Sequence, residues 1–206
     1  MELHQLLVVI DPTTENSQPS LERAKWVAQR SKSAIELLLC EYNSALDGGY
    51  FFDGPAQKKA RDSLMENRQK WLNELAQPLR DEGLTVTVEV RWGKPLHTMI
   101  LQRIDELKPD LVLRDATSHG LLQRLFFNNT SWQLIRQCKA PLWLVRPGAW
   151  KGERICAAVD PVHSSDTTAA LDHLLVQSTT YLAKTLGLEA DYMHSYAPLP
   201  RTMVFD

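Results

Sequence analysis

The sequence predicts an α/β protein, a doubly wound five-stranded parallel sheet followed by a partial second copy of the same architecture. Three observations carry that reading. Continuous apolar runs such as QLLVVID (5–11) and AIELLLCEY (34–42) have the pattern of strands buried on both faces. Segments with helical periodicity separate them, and strand–helix alternation of this kind builds a parallel sheet. A strand ending in Asp-Pro occurs twice, as HQLLVVIDP (4–12) and as ERICAAVDP (153–161).

Each element follows in order. After QLLVVID, a polar loop leads to LERAKWVAQRSKS, a helix with Leu21, Ala24 and Val27 on one face. AIELLLCEY is the second strand. The loop NSALDGGYFFDGP carries Tyr50, Phe51 and Phe52, which either pack over the sheet or cover a pocket. Residues 56–82 form a long amphipathic helix with Leu64, Trp71, Leu72 and Leu75 in its stripe, ending at Gly83. LTVTVEVRW (84–92) alternates as an edge strand does. A helix with Met99, Ile100 and Ile104 facing inward precedes DLVL (110–113), the fourth strand. Residues 121–138 form the next helix, and PLWLVRP (141–147) the fifth strand. One domain therefore spans 1–147, PGAWKGE contains the linker at 148–152, and 153–206 is strand–helix–strand, the first part of a second domain. A strand–helix–strand piece this small cannot bury both faces of its sheet, so it either adds to the first domain or, the favoured reading, opens a second domain of a longer tandem protein.

Bulk properties exclude several classes. A net charge of −2 and 23% charged residues argue against nucleic acid or an anionic membrane as partner. The N-terminus has neither a basic start nor a secretory apolar core, no run is long enough to span a bilayer, and the chain reads as cytoplasmic. Cys40, Cys138 and Cys156 are widely spaced and read as buried thiols. The six histidines show no metal-ligand spacing, and His119 has no elbow nucleophile beside it, so no metal site and no catalytic residue is assigned.

The segment DLVLRDATSHGLLQRLFFNNTSWQLIRQC (110–138) runs from strand through loop to helix, a junction at which α/β proteins bind phosphates. Its loop holds one glycine, Gly120. LLVVIDP, DLVL and QLIRQCKAPLWLVR fall in an order and spacing that resemble the universal stress protein family across all of 1–147. The repeated Asp-Pro strand is similar to the tandem, two-domain members, especially the bacterial E type. The resemblance implies an adenine-nucleotide α-hydrolase-like sheet and a ligand site between the first and fourth strands. It also implies a strand at 141–146 that pairs with a second domain or with another copy in a homodimer, Leu142, Trp143 and Leu144 making the contact.

The family's junction has the form DLIVVG-x-x-G-x-x-G with a later Gly-Ser pair. Here those glycines fall on Asp115, Ser118 and Leu121, and the pair on Asn128 and Asn129. A carboxylate at Asp115 facing a polyphosphate would cost roughly a few kcal/mol. ATP, the family's cofactor, is therefore not expected in this domain. Asp11 matches the family aspartate on the adenine and ribose side, or else caps local amides at the strand end. Asp160 is its counterpart in the repeat. Asn128, Asn129 and Thr130 either offer polar groups to a small ligand or cap the helix. The resulting expectation is a non-enzymatic stress-response protein acting by ligand sensing or protein contacts. The alternative is an ATP or adenylate switch using Asp11, Asn128, Asn129 and Thr130, while a hydrolase lacks a phosphate-side catalytic group.

Overall fold

The computed structural model describes residues 2–14, 18–47, 54–116, 129–160 and 166–195. The chain divides into two compact units, Glu2–Ala149 and Trp150–Asp206, each described by itself.

In the first unit the elements are β1 (Gln5–Val9), α1 (Pro19–Ser31), β2 (Ala34–Glu41), α2 (Pro55–Asp81), β3 (Val86–Trp92), α3 (Leu96–Leu107), β4 (Leu111–Asp115), α4 (Asn129–Gln137) and β5 (Leu142–Val145). The five strands form one parallel sheet in the order β3-β2-β1-β4-β5. Chain direction across the sheet reverses between β1 and β4. Right-handed crossovers then put α1 and α2 on one face and α3 and α4 on the other. The second face is filled by Leu7, Val9, Leu38, Cys40 and Val112 against Ile100 and Ile104 of α3 and Leu134 of α4.

Local chemistry sets the register. The Asp110 carboxylate accepts from the backbone N–H of His4 and Gln5, at 2.8 and 2.9 Å, and so ties the entry of β4 to the entry of β1. Leu6, Leu7, Val8 and Val9 are buried, as are residues 35–40 of β2, which accounts for the continuous apolar runs. β3 lies at the sheet edge, as its alternation predicts. The buried stripe of α2 is Leu72, Ala76 and Leu79, shifted from the expected set, of which Leu72 is the fully buried member.

One boundary differs from the sequence reading in a way that matters. The fourth strand continues past Leu113 to Asp115, because Arg114 and Asp115 pair with Leu144 and Val145. The helix expected over 121–138 is described from Asn129 onward; Gly120, Leu121 and Asn128 lie outside the described residues, as do Tyr50, Phe51, Phe52, Ser118 and His119.

The second unit contains β6 (Arg154–Ala158), α5 (Asp166–Leu186) and β7 (Glu189–Met193). β6 and β7 pair in parallel, from Arg154 opposite Glu189 to Ala158 opposite Met193. Leu171, Leu174, Tyr192 and Met193 are exposed. Cys156 is exposed as well, which corrects the expectation of three buried thiols; a two-stranded sheet cannot cover both faces of its strands. Cys40 is buried and Cys138 half-buried. Among the described residues, no helix is long and apolar enough to cross a membrane.

Candidate functional site

A cavity of about 280 Å³ opens at the carboxyl ends of β1 and β4. In open α/β sheets, ligands enter at this reversal point. Its floor and one wall come from Val9, Ile10, Asp11, Pro12 and Thr13 at the exit of β1. Cys40 of β2, Leu96 and Ile100 of α3, Arg114 of β4 and Thr130 of α4 complete the described lining.

Asp11 closes a tight turn. Its Oδ1 accepts from the backbone N–H of Thr13 at 2.9 Å and from the Thr13 hydroxyl at 2.6 Å. The buried Gln18 amide holds the same turn by donating to the carbonyls of Asp11 and Thr14, at 2.9 and 2.8 Å. Capping of local amides, one of the two roles read from the sequence, is thus present. The other carboxylate oxygen makes no hydrogen bond among the described residues, so Asp11 also keeps an acceptor.

Asp115 and Arg114 occupy roles that the sequence reading had not separated. Successive strand side chains point to opposite faces. Val112 belongs to the α3/α4 face, so Arg114 shares that face and enters the cavity, while Asp115 points to α1. There the Asp115 carboxylate accepts from the backbone N–H of Ser20, in the first turn of α1, at 2.6 Å. A negative group at a helix N-terminus is well placed. The expectation that Asp115 opposes a polyphosphate in the ligand site is therefore corrected: it is buried against α1 and does not line the cavity. Burial pushes its carboxyl above the usual range, and hydrogen bonding from Ser20 opposes that shift.

Arg114 is the cavity residue that sequence reasoning missed. One guanidinium nitrogen, Nη1, is buried without a hydrogen-bond partner. Burial lowers the pKa of the guanidinium, and Asp11 is the largest opposing influence. No ion pair joins the two among the described residues, although both line the cavity. The signal was available: an arginine in an otherwise apolar parallel strand, two positions after a core valine. Burial pushes the thiol of Cys40, also on the cavity, up to about 12. A pocket with fixed charges, apolar walls and a protonated thiol can hold a small molecule.

The other candidates separate. Thr130 is buried on the cavity with Asp11. Asn129 is the first residue of α4. Asp160 belongs to the second unit, where its backbone N–H donates to the Asp172 carboxylate at 3.1 Å. Leu142, Trp143 and Leu144 are half-buried on the edge strand β5. Among the described residues, no group of three His, Cys, Asp or Glu side chains is arranged to hold a metal ion.

Fold and site together define a doubly wound α/β protein with a cavity where the strand order reverses. The chain belongs to the universal stress protein family, whose sequence profile matches residues 2–146. Universal stress protein E of Escherichia coli (strain K12) is 30% identical over 189 residues, covering 91% of this chain and 60% of that protein. The universal stress protein E homolog of Haemophilus influenzae is 24% identical over 212 residues, covering 100% of this chain and 68% of its own. The chain thus spans only part of the length of these relatives. A Pseudomonas aeruginosa UCBPP-PA14 structure described as a universal stress protein superposes with a TM-score of 0.71 at 24% identity, over 98% of this chain and 65% of the other. A universal stress protein of Lactobacillus plantarum gives 0.58 at 17% identity, over 71% and 99%. At these identities the structures show the shared fold.

Proposed function

We propose that the chain is a non-enzymatic, cytoplasmic stress-response protein that acts by sensing a small ligand at the β1/β4 junction or through protein contacts, without binding ATP in the family's usual manner. The observation that carries this reading is the cavity itself. At about 280 Å³ it is at the lower limit of the ~300–1,000 Å³ typical of drug-sized ligands. Where the resemblance places the phosphate-loop glycines, the sequence has Asp115, Ser118 and Leu121, and burial raises the pKa of the thiol on the cavity wall.

Residues 153–206 belong, in this proposal, to the opening of a second stress-protein domain. The parallel β6–α5–β7 unit repeats the order of β1–α1–β2, and the greater length of the E-type relatives fits a tandem protein. Edge strand β5 is the surface assigned to pairing with such a domain, in the same chain or in a second copy.

The second reading is an adenylate switch in which Asp11, Asn128, Asn129 and Thr130 contact the nucleotide. The placement of Asp11 and Thr130 on one cavity favours it. Calorimetric titration of the 206-residue chain with Mg-ATP separates the two, after mass spectrometry has checked for co-purified nucleotide. No heat and no bound nucleotide are expected. Micromolar binding that Asp11→Ala weakens would establish the switch instead.

A further inference from the structure

Among the described residues, Arg114 presents a cation to an otherwise largely apolar cavity, and its buried Nη1 has no hydrogen-bond partner. Unpaired buried charges are costly, and folded proteins normally pair them. Asp11 offsets the charge from a distance, but the described side chains supply no hydrogen-bond acceptor for the guanidinium, and that acceptor arrives with the ligand. Deepening the small-ligand reading, on which it rests, we infer that the cavity binds a small organic monoanion, a carboxylate with an apolar body, seated on the Arg114 guanidinium.

Three features select that class. The guanidinium fork matches the two oxygens of a planar carboxylate, a pairing stronger than neutral hydrogen bonds. Asp11 lies on the same cavity and contributes a negative charge, so Arg114 and Asp11 together leave the empty site near neutrality. A monoanion adds one negative charge to that balance; a triphosphate adds several and meets repulsion from Asp11 in a partly desolvated space. Val9, Ile10, Leu96 and Ile100 offer apolar surface that suits a hydrocarbon body better than a hydrated inorganic ion. The free acceptor of Asp11 and the Thr130 side chain can then distinguish among carboxylates that carry a further polar group.

The test uses calorimetry and thermal shift on the whole chain with acetate, hexanoate, benzoate, hexanol, inorganic phosphate and Mg-ATP as probes. Hexanoate or benzoate is expected to bind, with acetate weaker for lack of apolar contact. Arg114→Met should weaken carboxylate binding about ten- to a hundredfold, the factor that loss of charge-assisted hydrogen bonds implies. Hexanol binding should be unchanged in that variant. Arg114→Lys, which keeps the charge but loses the fork, should fall between the two and serves if the methionine variant does not fold. Hexanol and hexanoate binding equally, with no effect of Arg114→Met, would overturn the anion assignment and leave the small-ligand reading standing. Mg-ATP binding in preference to every carboxylate would overturn both. A chain that binds none of the probes would overturn the carboxylate inference.

Discussion

Arg103 and Arg114 should respond oppositely to the same substitution, methionine. Arg103 makes two hydrogen bonds to the Glu36 carboxylate, at 2.7 and 2.6 Å, and Glu36 is buried in the centre of β2. Arg103→Met leaves that carboxylate in the core with no compensating charge. Removing one partner of a buried pair costs about 3–5 kcal/mol, and partial exposure of Arg103 places this case toward the low end. Arg114 has no hydrogen bond to lose, and its Nη1 is a buried unsatisfied donor. Such a donor carries a penalty of about 1–3 kcal/mol, which attraction to Asp11 partly offsets. Methionine keeps the apolar stem and removes the charge, so Arg114→Met should stabilise the ligand-free protein by about 1–2 kcal/mol. For a chain of this size that corresponds to roughly 2–8 °C in Tm. Urea denaturation followed by far-ultraviolet circular dichroism, with calorimetry alongside, reads both variants. A loss of stability in Arg114→Met larger than about 1 kcal/mol would refute the reasoning, because the guanidinium would then be satisfied in the native state.

Further outcomes follow from the same geometry. Burial holds the Asp115 carboxyl above its ordinary 3.8, so in the pH range just above that value the folded chain retains a proton the unfolded chain has released. Stability from this group therefore falls as pH rises through the raised folded pKa, and Asp115→Asn should flatten that part of the profile in denaturation midpoints. Glu106 has the opposite sign. Hydrogen bonds from Arg91, then Arg103, lower its pKa from 4.5 to about 2, so its contribution is present above 4.5 and disappears as pH falls through about 2. Glu106→Gln should remove that acid-side loss in the same titration. Thiol labelling of the native chain should proceed in the order Cys156, Cys138, Cys40, with Cys40 labelled only on unfolding; mass spectrometry of timed digests checks the order. Leu113→Ala, in the fully buried centre of β4, should cost about 2–5 kcal/mol in urea denaturation.

The sheet was legible because its physics is repetitive. Doubly buried strands such as β1 and β2 must be apolar throughout, and their alternation with amphipathic helices leaves little freedom in class or order. β3 declared itself as an edge by alternation. Asp11 and Thr130 were legible as cavity residues because strand ends and helix starts converge where the sheet order reverses. Arg114 was not, because DLVL reads as a complete strand and the polar pair after it reads as loop. Only the pairing of Arg114 and Asp115 with β5 shows that they still obey the strand alternation. Exposure of Cys156 was equally hidden, since a cysteine in an apolar strand looks buried until the number of neighbouring strands is known.

That alternation decides the electrostatics of the whole site. Had β4 ended at Leu113, neither Arg114 nor Asp115 would have an assigned face, and glycine-to-aspartate replacement would place a carboxylate among the ligand's phosphates. Because pairing continues for two residues, the carboxylate turns to the N-terminus of α1, where the backbone N–H of Ser20 receives it. The guanidinium turns to the cavity, where no hydrogen bond receives it. Asp115, which the sequence suggested as an added negative charge at the site, thus leaves it, and the cation of Arg114 faces the cavity instead. On the proposed reading, a cation beside Asp11 and apolar walls suits a small anion with an apolar body better than a polyphosphate.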